Sequence, residues 1–539
     1  MATNLRFVLG WWSLVLLRHS TNGLSTTSSL WMSTKSPFNT QYSLNQRNLA
    51  TVPFPRTWVP IASTMELDPN RPTPLQFMNQ RYVTYQDNQN QWVVMDDACC
   101  HRLAPLSEGR VDRINNRLEC SYHGWAFNST GHLQRVPQVT ADMERTICSS
   151  SFTQSCVTSY PTWLEKNVLW IWPWPETPPP VHDDSSDTST TKTTKTTTTK
   201  SNIYPSDVMK EIPQQHPYTY TRDLPYGWDT LVENLIDPSH IPFAHHGIQG
   251  KRTDAIPINM TQPIFHGEQG FTFEWEDRTM GMMRRGMGEF RAPFLVWYDA
   301  MFAVDPPRPF TLAVLCIPTA PGWSRAIIVG GVSERKRARK EDSGLQQQKE
   351  GKGPKQNQKQ QQEESPLQEQ EQHPDKKKKK KKTLAQIIFA NIPPWVSHLL
   401  SNQFLDSDLV FLHVQEQERE CRSGTSYFMP GQSDRCIASL RKWIPQYASV
   451  MKPPQRILPR PVLFDRWTQH TSHCKQCLAA FQGIQKWRRV TYGILAFSIL
   501  AIKHGLARVS VLGCLAMLTI LRKLETFFKE GEFNHAENH

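Results

Sequence analysis

The stretch DACCHRLAPLSEGRVDRINNRLECSYHGWAF, Asp97 to Phe127, sets a Cys-x-His pair (Cys99, His101) ahead of a Cys-x-x-His pair (Cys120, His123). Two thiolates and two imidazoles suit either a tetrahedral zinc ion or a [2Fe-2S] cluster in which two Cys hold one iron and two His the other. A zinc finger separates its pairs by a helix-forming segment. Here Arg102 to Glu119 contains Pro105, Gly109 and the turn-like Asn115-Asn116, and the second loop closes as His123-Gly124-Trp125. The residues therefore favour two hairpin tips around a cluster, with apolar cover. Neutral imidazoles in place of sulfur raise the potential of such a cluster, so the stretch predicts an electron carrier. Cys100, the x of the first pair, reads as a packed spare thiol.

The surrounding chain is long, at 539 residues, enough for several domains. Its formal charge of +12 is concentrated: Glu334 to Thr383 holds 16 Lys+Arg against 9 Asp+Glu in a Gln- and Lys-rich run. More than half of the excess thus lies in one low-complexity insert, and nucleic acid is not expected as a partner. The 11 Cys show no disulfide framework, which favours a reducing compartment. Residues 1–53 read as targeting sequence. Arg6 precedes an apolar run from Phe7 to Leu17, with small residues at Thr21 and Gly23, and no Asp or Glu occurs before Glu66. A signal-like segment followed by a transit-like one resembles the two-part presequence of certain algae.

Residues 54–180 contain the short strand-like runs RYVTYQ, QWVVMDD, RLECSYHGWAF and NVLWIWPW, which predict a small all-β domain bearing the metal loops at one end. A Thr/Ser/Lys tract within 181–205 marks a linker. The second domain, 206–470, opens with LVENLIDPSHIPFAHHGI, in which Asn234, Asp237, His240 and His245 follow Asn-x2-Asp-x2-His-x4-His. Two His and one carboxylate on one face of an iron leave open positions for O2 and substrate. His246 is an alternative to His245. The carboxylate must come from further along, where LSNQFLDSDLVFLHVQEQER offers Asp406 and Asp408.

These motifs together, CCHRLAPLSEGRV, CSYHGWAF, VENLIDPSHIPFAHHG, FLDSDLVFLHVQEQE and HCKQC, resemble the plastid group of Rieske non-haem iron oxygenases, which includes pheophorbide a oxygenase, chlorophyllide a oxygenase and the Tic inner-envelope Rieske protein. The resemblance runs from about Phe54 to Leu524; Cys100, a long inter-pair segment and the two inserts depart from it without removing a ligand. It implies an α+β chain: an all-β Rieske domain, then a helix-grip-like catalytic domain. The cofactors it implies are one [2Fe-2S] cluster on Cys99, His101, Cys120 and His123, and one mononuclear Fe(II) on His240, His245 and Asp408. By the same resemblance Asp237 bridges metal-bound imidazoles of neighbouring subunits and carries electrons across a homotrimer interface, beside Asn234. Reduced ferredoxin and O2 are then the co-substrates.

A chlorophyll-derived tetrapyrrole is the implied substrate, above all pheophorbide a, opened at its macrocycle. The stretch Thr279 to Phe290 offers Met280, Met282, Met283 and Met287 for its rings and Arg284 or Arg285 for a propionate. A sister hydroxylase of the same family, or a plastid redox or protein-import component with a vestigial site, are the competing readings; retention of all three iron ligands weighs against the last. Cys474-x-x-Cys477, in a segment 471–487, reads as a redox pair with thioredoxin as partner, or as half of a zinc site. Two apolar stretches within 488–524, bracketed by Lys486, Arg488, Arg489, Arg522 and Lys523, predict a hairpin anchored in a plastid membrane, envelope or thylakoid, followed by a tail, 525–539.

Overall fold

Tight two-residue turns between short apolar runs build the first domain. Thr73–Phe77 and Gln80–Gln86 join through Met78 and Asn79, both at positive φ (48° and 65°), and Thr162–Glu165 joins Val168–Ile171 through Lys166 and Asn167 (48° and 64°). Such turns match the twist of an antiparallel pair. The computed structural model describes residues 54–149, 156–180, 204–212, 218–304, 307–330, 392–422, 427–503 and 505–535. The targeting reading of 1–53, the Thr/Ser/Lys tract and the insert 334–383 lie outside the described residues.

Three small antiparallel sheets make up the N-terminal domain. Val168–Ile171 lies between Val59–Ser63 and Thr162–Glu165; Thr73–Phe77, Gln80–Gln86, Trp92–Asp96 and Ser159–Tyr160 form the second sheet. The third runs through Arg110–Asp112, Arg117–Glu119, Ala126–Phe127 and Leu133–Arg135 and carries the metal loops.

The catalytic domain is built on an antiparallel sheet of eight strands. From its edge the order is Tyr218–Leu224, Trp323–Gly330, Arg308–Ala320, Leu295–Phe302, Met282–Arg291, Gly270–Thr279 and Asn259–Met260, with Ile264–Phe265 also paired to Gly270–Thr279. The two domains share one core. Met78 and Asn79 donate backbone N–H groups to Pro318 and Thr319, and Phe54 packs on Trp228 and Phe294.

Among the described residues five longer helices complete this domain: α1 (Trp228–Leu235), α2 (Pro394–Cys421), α3 (Arg435–Tyr447), α4 (Lys475–Leu500) and α5 (Gly505–Lys529). α2 lies against the edge strand Tyr218–Leu224, a long helix held on an antiparallel sheet, as the helix-grip expectation requires. Its buried side is largely polar: His398, Asn402, Asp406, Ser407, Asp408, His413, Glu416 and Gln417 are all buried. Burial of so many polar groups is tolerable only if each finds a partner. Asn402 accepts from Tyr220 (2.6 Å), His413 donates to Pro225 O (2.7 Å), and Glu416 accepts from Gly227 N–H (2.7 Å). Asp406, wholly buried, lies 2.7 Å from Arg222 and 2.5 Å from Arg466.

Two expectations change here. The Met-rich stretch is a hairpin, with Met280 and Gly281 at its turn (φ 56° and 74°), rather than one wall of a substrate pocket. Cross-strand register sets Arg284 opposite Asp277, whose carboxylate it meets at 2.7 Å, with its guanidinium 4.5 Å from the rings of Trp275 and Phe310. That cation is consumed inside the sheet and is not offered to a propionate.

The C-terminal hairpin also starts earlier than expected. α4 runs unbroken from Lys475, so the Cys474/Cys477 segment belongs to its first turn, and α5 continues to Lys529. Ser498 bonds Ser510 and Arg522 bonds Tyr492 across the hairpin, while Phe497, Leu500, Leu506 and Leu512 stand exposed on its outside. Among the described residues one helix, Gly505–Lys529, is long and apolar enough to cross a membrane.

Replacing Asp406 by Ala strands two buried guanidiniums. Loss of one partner of a buried pair costs roughly 3–5 kcal/mol, so Asp406→Ala is expected to lower the urea midpoint of the catalytic domain strongly. A midpoint equal to wild type would show that the buried triad contributes nothing.

Candidate metal centres

Two ligand loops take the same form, one leading from Trp92–Asp96 of the second sheet into Arg110–Asp112 of the third, the other joining Arg117–Glu119 to Ala126–Phe127 as a hairpin tip. Cys99 N–H donates to Ala104 O and Leu103 N–H to Cys99 O; Cys120 N–H donates to Trp125 O and Gly124 N–H to Cys120 O. The fifth residue of each loop is left-handed, Leu103 at φ 60° and Gly124 at φ 74°. At Gly124 a Cβ would in addition meet Pro137 at 3.0 Å. The two loops bring the thiols of Cys99 and Cys120, both buried, into hydrogen-bonding contact, and set the rings of His101 and His123 4.6 Å apart. Trp125 stacks on His101 at 4.4 Å. Sulfurs lie together on one side and imidazoles on the other, and His101 Nδ1 is buried with no hydrogen-bond partner. That orphaned nitrogen, beside a paired Cys and a paired His set, fits a [2Fe-2S] cluster.

The second cluster forms where the chain leaves α1. The turn Ile236 to Ser239 and the short helix Ile241–Ala244 bring His240 and His245 round to face α2, with Nε2 of the two rings 3.2 Å apart and His245 Nε2 3.4 Å from Asp408. His245 Nδ1 donates to Ser407 Oγ (2.7 Å), whose own proton goes to Phe404 O (2.6 Å). His240 Nδ1 faces Asp237 at 3.5 Å. The Ser407 bond leaves His245 Nε2 as a lone pair, pointed at His240 Nε2 and at the carboxylate of Asp408. Such a donor set repels itself unless a cation lies among the three, and it fits a mononuclear iron with open positions.

A proton on His240 is the alternative to that cation. Burial alone would hold the His240 imidazole down, but the carboxylates of Asp237 and Asp408 push it up to about 9. Burial, then the charges of His240 and His535, keep His245 well below its usual range, and burial pushes the Asp408 carboxyl up to about 6 against the pull of His240 and Asn234.

Other candidates fall elsewhere. Asp406 is two residues from Asp408 and so points to the opposite side of α2, into Arg222 and Arg466. His246 Nδ1 accepts from Arg252 N–H. Asp237 Oδ1 accepts the N–H of Ser239 at 2.7 Å, so this carboxylate both shapes its turn and faces His240. Cys474 and Cys477 are buried, against His398 and His470.

A cavity of about 670 Å³ opens on the His240/Asp408 side, lined among others by Asn234, Phe243, Arg252, Phe411, Ile437 and His535. The volume is that of a site for a sizeable organic ligand. Spacing in the sequence does not mark Arg252, His535, Ser407 or His398 as site residues. The polar stripe His398-x3-Asn402-x3-Asp406 on α2 was the signal for a functional buried face; nothing in the tail marked His535.

The sequence profile of the Rieske [2Fe-2S] domain matches residues 57–161, and one described as pheophorbide a oxygenase matches residues 290–426. Among relatives, a chloroplastic pheophorbide a oxygenase of Oryza sativa subsp. japonica is 29% identical over 81% of this chain and 75% of its own length. The chloroplastic protochlorophyllide-dependent translocon component 52 of Arabidopsis thaliana is 28% identical over 78% and 72%. A chloroplastic flavonoid 8-hydroxylase 2 of Ocimum basilicum is 26% identical over 89% and 85%.

Removing the Ser407 hydroxyl tests the orientation of His245. Loss of an outer partner of a metal-bound imidazole typically costs about 10–100-fold in metal affinity or activity. Ser407→Ala is expected to release mononuclear iron at correspondingly lower chelator concentration with the Rieske electron-paramagnetic signal intact; unchanged iron retention would show that Ser407 does not position the ring.

Proposed function

Starting from a chain that is a Rieske non-haem iron oxygenase of the plastid group, we propose that it oxygenates a chlorophyll-derived tetrapyrrole, pheophorbide a in first place, and opens its macrocycle. When bound, the cluster stores one electron at a raised potential and the mononuclear iron activates O2. The observation that carries the reading is the closed donor set His240, His245 and Asp408, two members of which, His240 and Asp408, line a large cavity. Ser407 holds the His245 ring in the tautomer that frees its Nε2, and Asp237 faces Nδ1 of His240 at 3.5 Å. Phe243 and Phe411 offer flat rings and Ile437 apolar contact, and Arg252 lines the same cavity, where a guanidinium can meet a substrate carboxylate.

Reduced ferredoxin is the proposed donor and a head-to-tail homotrimer the proposed assembly. Both metal sites present apolar side chains at their rims: Leu103 and Tyr122 at the cluster tip are 61% and 66% exposed, Phe243 and Phe411 at the iron site 52% and 49%. Apolar rims of this kind suit burial against a neighbouring copy. The outer edge of Asp237, part-exposed beside His240, would then meet the neighbour's cluster domain and bridge the two. A thioredoxin partner for Cys474 and Cys477 would have to open the packing over two buried sulfurs.

We place the protein at a plastid membrane, reached through a two-part presequence. The supports are the chloroplastic relatives and the exposed apolar outside of the α4–α5 hairpin. From Arg489 to Leu500 the rise is roughly 17 Å, against about 30 Å for a hydrocarbon core. The apolar part of α4 alone is thus shorter than a span, α5 is long enough for one, and Lys486, Arg488 and Arg489 stand at the root of the hairpin.

Two experiments test this reading. Purified protein is incubated without O2 with pheophorbide a, chlorophyllide a or a flavonoid, then given reduced ferredoxin and air. Pheophorbide a should lose its macrocycle absorption; turnover of chlorophyllide or the flavonoid alone would overturn the substrate assignment. Asp237→Asn keeps a side chain able to shape the turn but removes the charge facing His240. Turnover is expected to fall at least tenfold with both metals bound and the trimer intact, whereas near-normal turnover would reduce Asp237 to a turn residue.

A further inference from the structure

Away from both centres, four side chains converge in a dry pocket between α2, the turn Trp467–Thr471 and the first turn of α4. They are His398, His470, Cys474 and Cys477, each no more than 2% exposed, and their candidate ligand atoms all lie within 4.8 Å of one another. His470 Nε2 is 3.2 Å from Cys477 Sγ; His398 Nδ1 is 3.4 Å from Cys477 Sγ and 3.5 Å from Cys474 Sγ. A tetrahedral zinc ion with ordinary bond lengths separates its nitrogen and sulfur ligands by about 3.6 Å. The side chains thus need to move only by tenths of an ångström to ligate.

The far nitrogens of both rings are already committed. His398 Nε2–H donates to Thr219 O (2.9 Å) and His470 Nδ1–H to Thr221 O (2.6 Å), two carbonyls of the same edge strand. Each ring is therefore held in the tautomer that turns a lone pair toward the sulfurs, the outer support usual for a metal-bound imidazole. A Cys474–Cys477 disulfide would leave both lone pairs facing sulfur with no donor.

We propose that His398, His470, Cys474 and Cys477 bind a structural zinc ion. Zinc displaces the two thiol protons, and two thiolates, two neutral imidazoles and Zn²⁺ sum to zero charge, so the buried site carries no net charge. Four protein ligands leave no open position, which makes the site structural rather than catalytic, and a Cys2His2 tetrahedron selects zinc. Its position gives it a task. His398 lies ten residues before Asp408 on α2, and Cys474 and Cys477 root the hairpin, so the ion ties the membrane element to the helix that supplies the iron site's carboxylate. Leu399, Phe481 and Phe528 close over it.

The test is made on the full-length protein purified with its iron, by elemental analysis and zinc-edge X-ray absorption. One zinc per chain with two sulfur and two nitrogen neighbours is expected. Cys477→Ser and His398→Gln should each lose that zinc and lower the unfolding temperature while the Rieske signal and iron content stay as in wild type. Zinc absent from wild type, with a Cys474–Cys477 disulfide or two thiols alkylated after denaturation, would overturn the proposal. So would iron in its place, or zinc retained in both variants. Should the variants not fold, the wild-type spectrum decides alone.

Discussion

The Asp406 carboxylate, buried between the guanidiniums of Arg222 and Arg466, fixes the rotation and height of α2, and the rest of the catalytic domain depends on that placement. Arg222 belongs to the edge strand and Arg466 to the turn before the hairpin, so one side chain on the helix locks three segments together. A helix turned by even one residue would swing Asp408 about 100° away from the two histidines. The pairing is costly to bury and worth little as net stability, but it discriminates between registers. Hydrogen bonds from Tyr220 to Asn402 and from His413 to Pro225 repeat the lock along the helix.

From that lock the chemistry follows by proximity. α2 presents Ser407 and Asp408 together, one to orient His245 and one to complete the donor set. The chain that carries the histidines is bent so that its own carboxylate, Asp237, faces the outer nitrogen of His240. The cluster domain is positioned separately, by backbone hydrogen bonds of its second sheet to the catalytic sheet and by a shared aromatic core around Phe54.

The cluster loops are legible in the sequence because all four candidate ligands lie within two short local motifs whose loop geometry depends on neighbours only. His240 and His245 were legible for the same reason. Asp406 and Asp408 could not be separated from spacing alone, since the choice depends on which side of α2 meets Arg222. The pairing of Arg284 is hidden because a strand's register is invisible in the residues: it is Asp277, seven positions earlier, that the hairpin brings opposite. The partner of Cys474 and Cys477 was half hidden. His470 stands four residues before Cys474, but His398 precedes it by 76 residues and arrives through the packing of α2 on the edge strand.

The central claim is that this donor set, fed by the cluster, oxygenates a tetrapyrrole held in the adjoining cavity. A single turnover addresses it most directly: protein with both metals bound and its cluster reduced beforehand is mixed with pheophorbide a and isotopically labelled O2, and the pigment is analysed by mass spectrometry. Label in a ring-opened product, in an amount matched to the reduced protein, is the result predicted. Reoxidation of the cluster with the pigment intact and unlabelled would contradict the account.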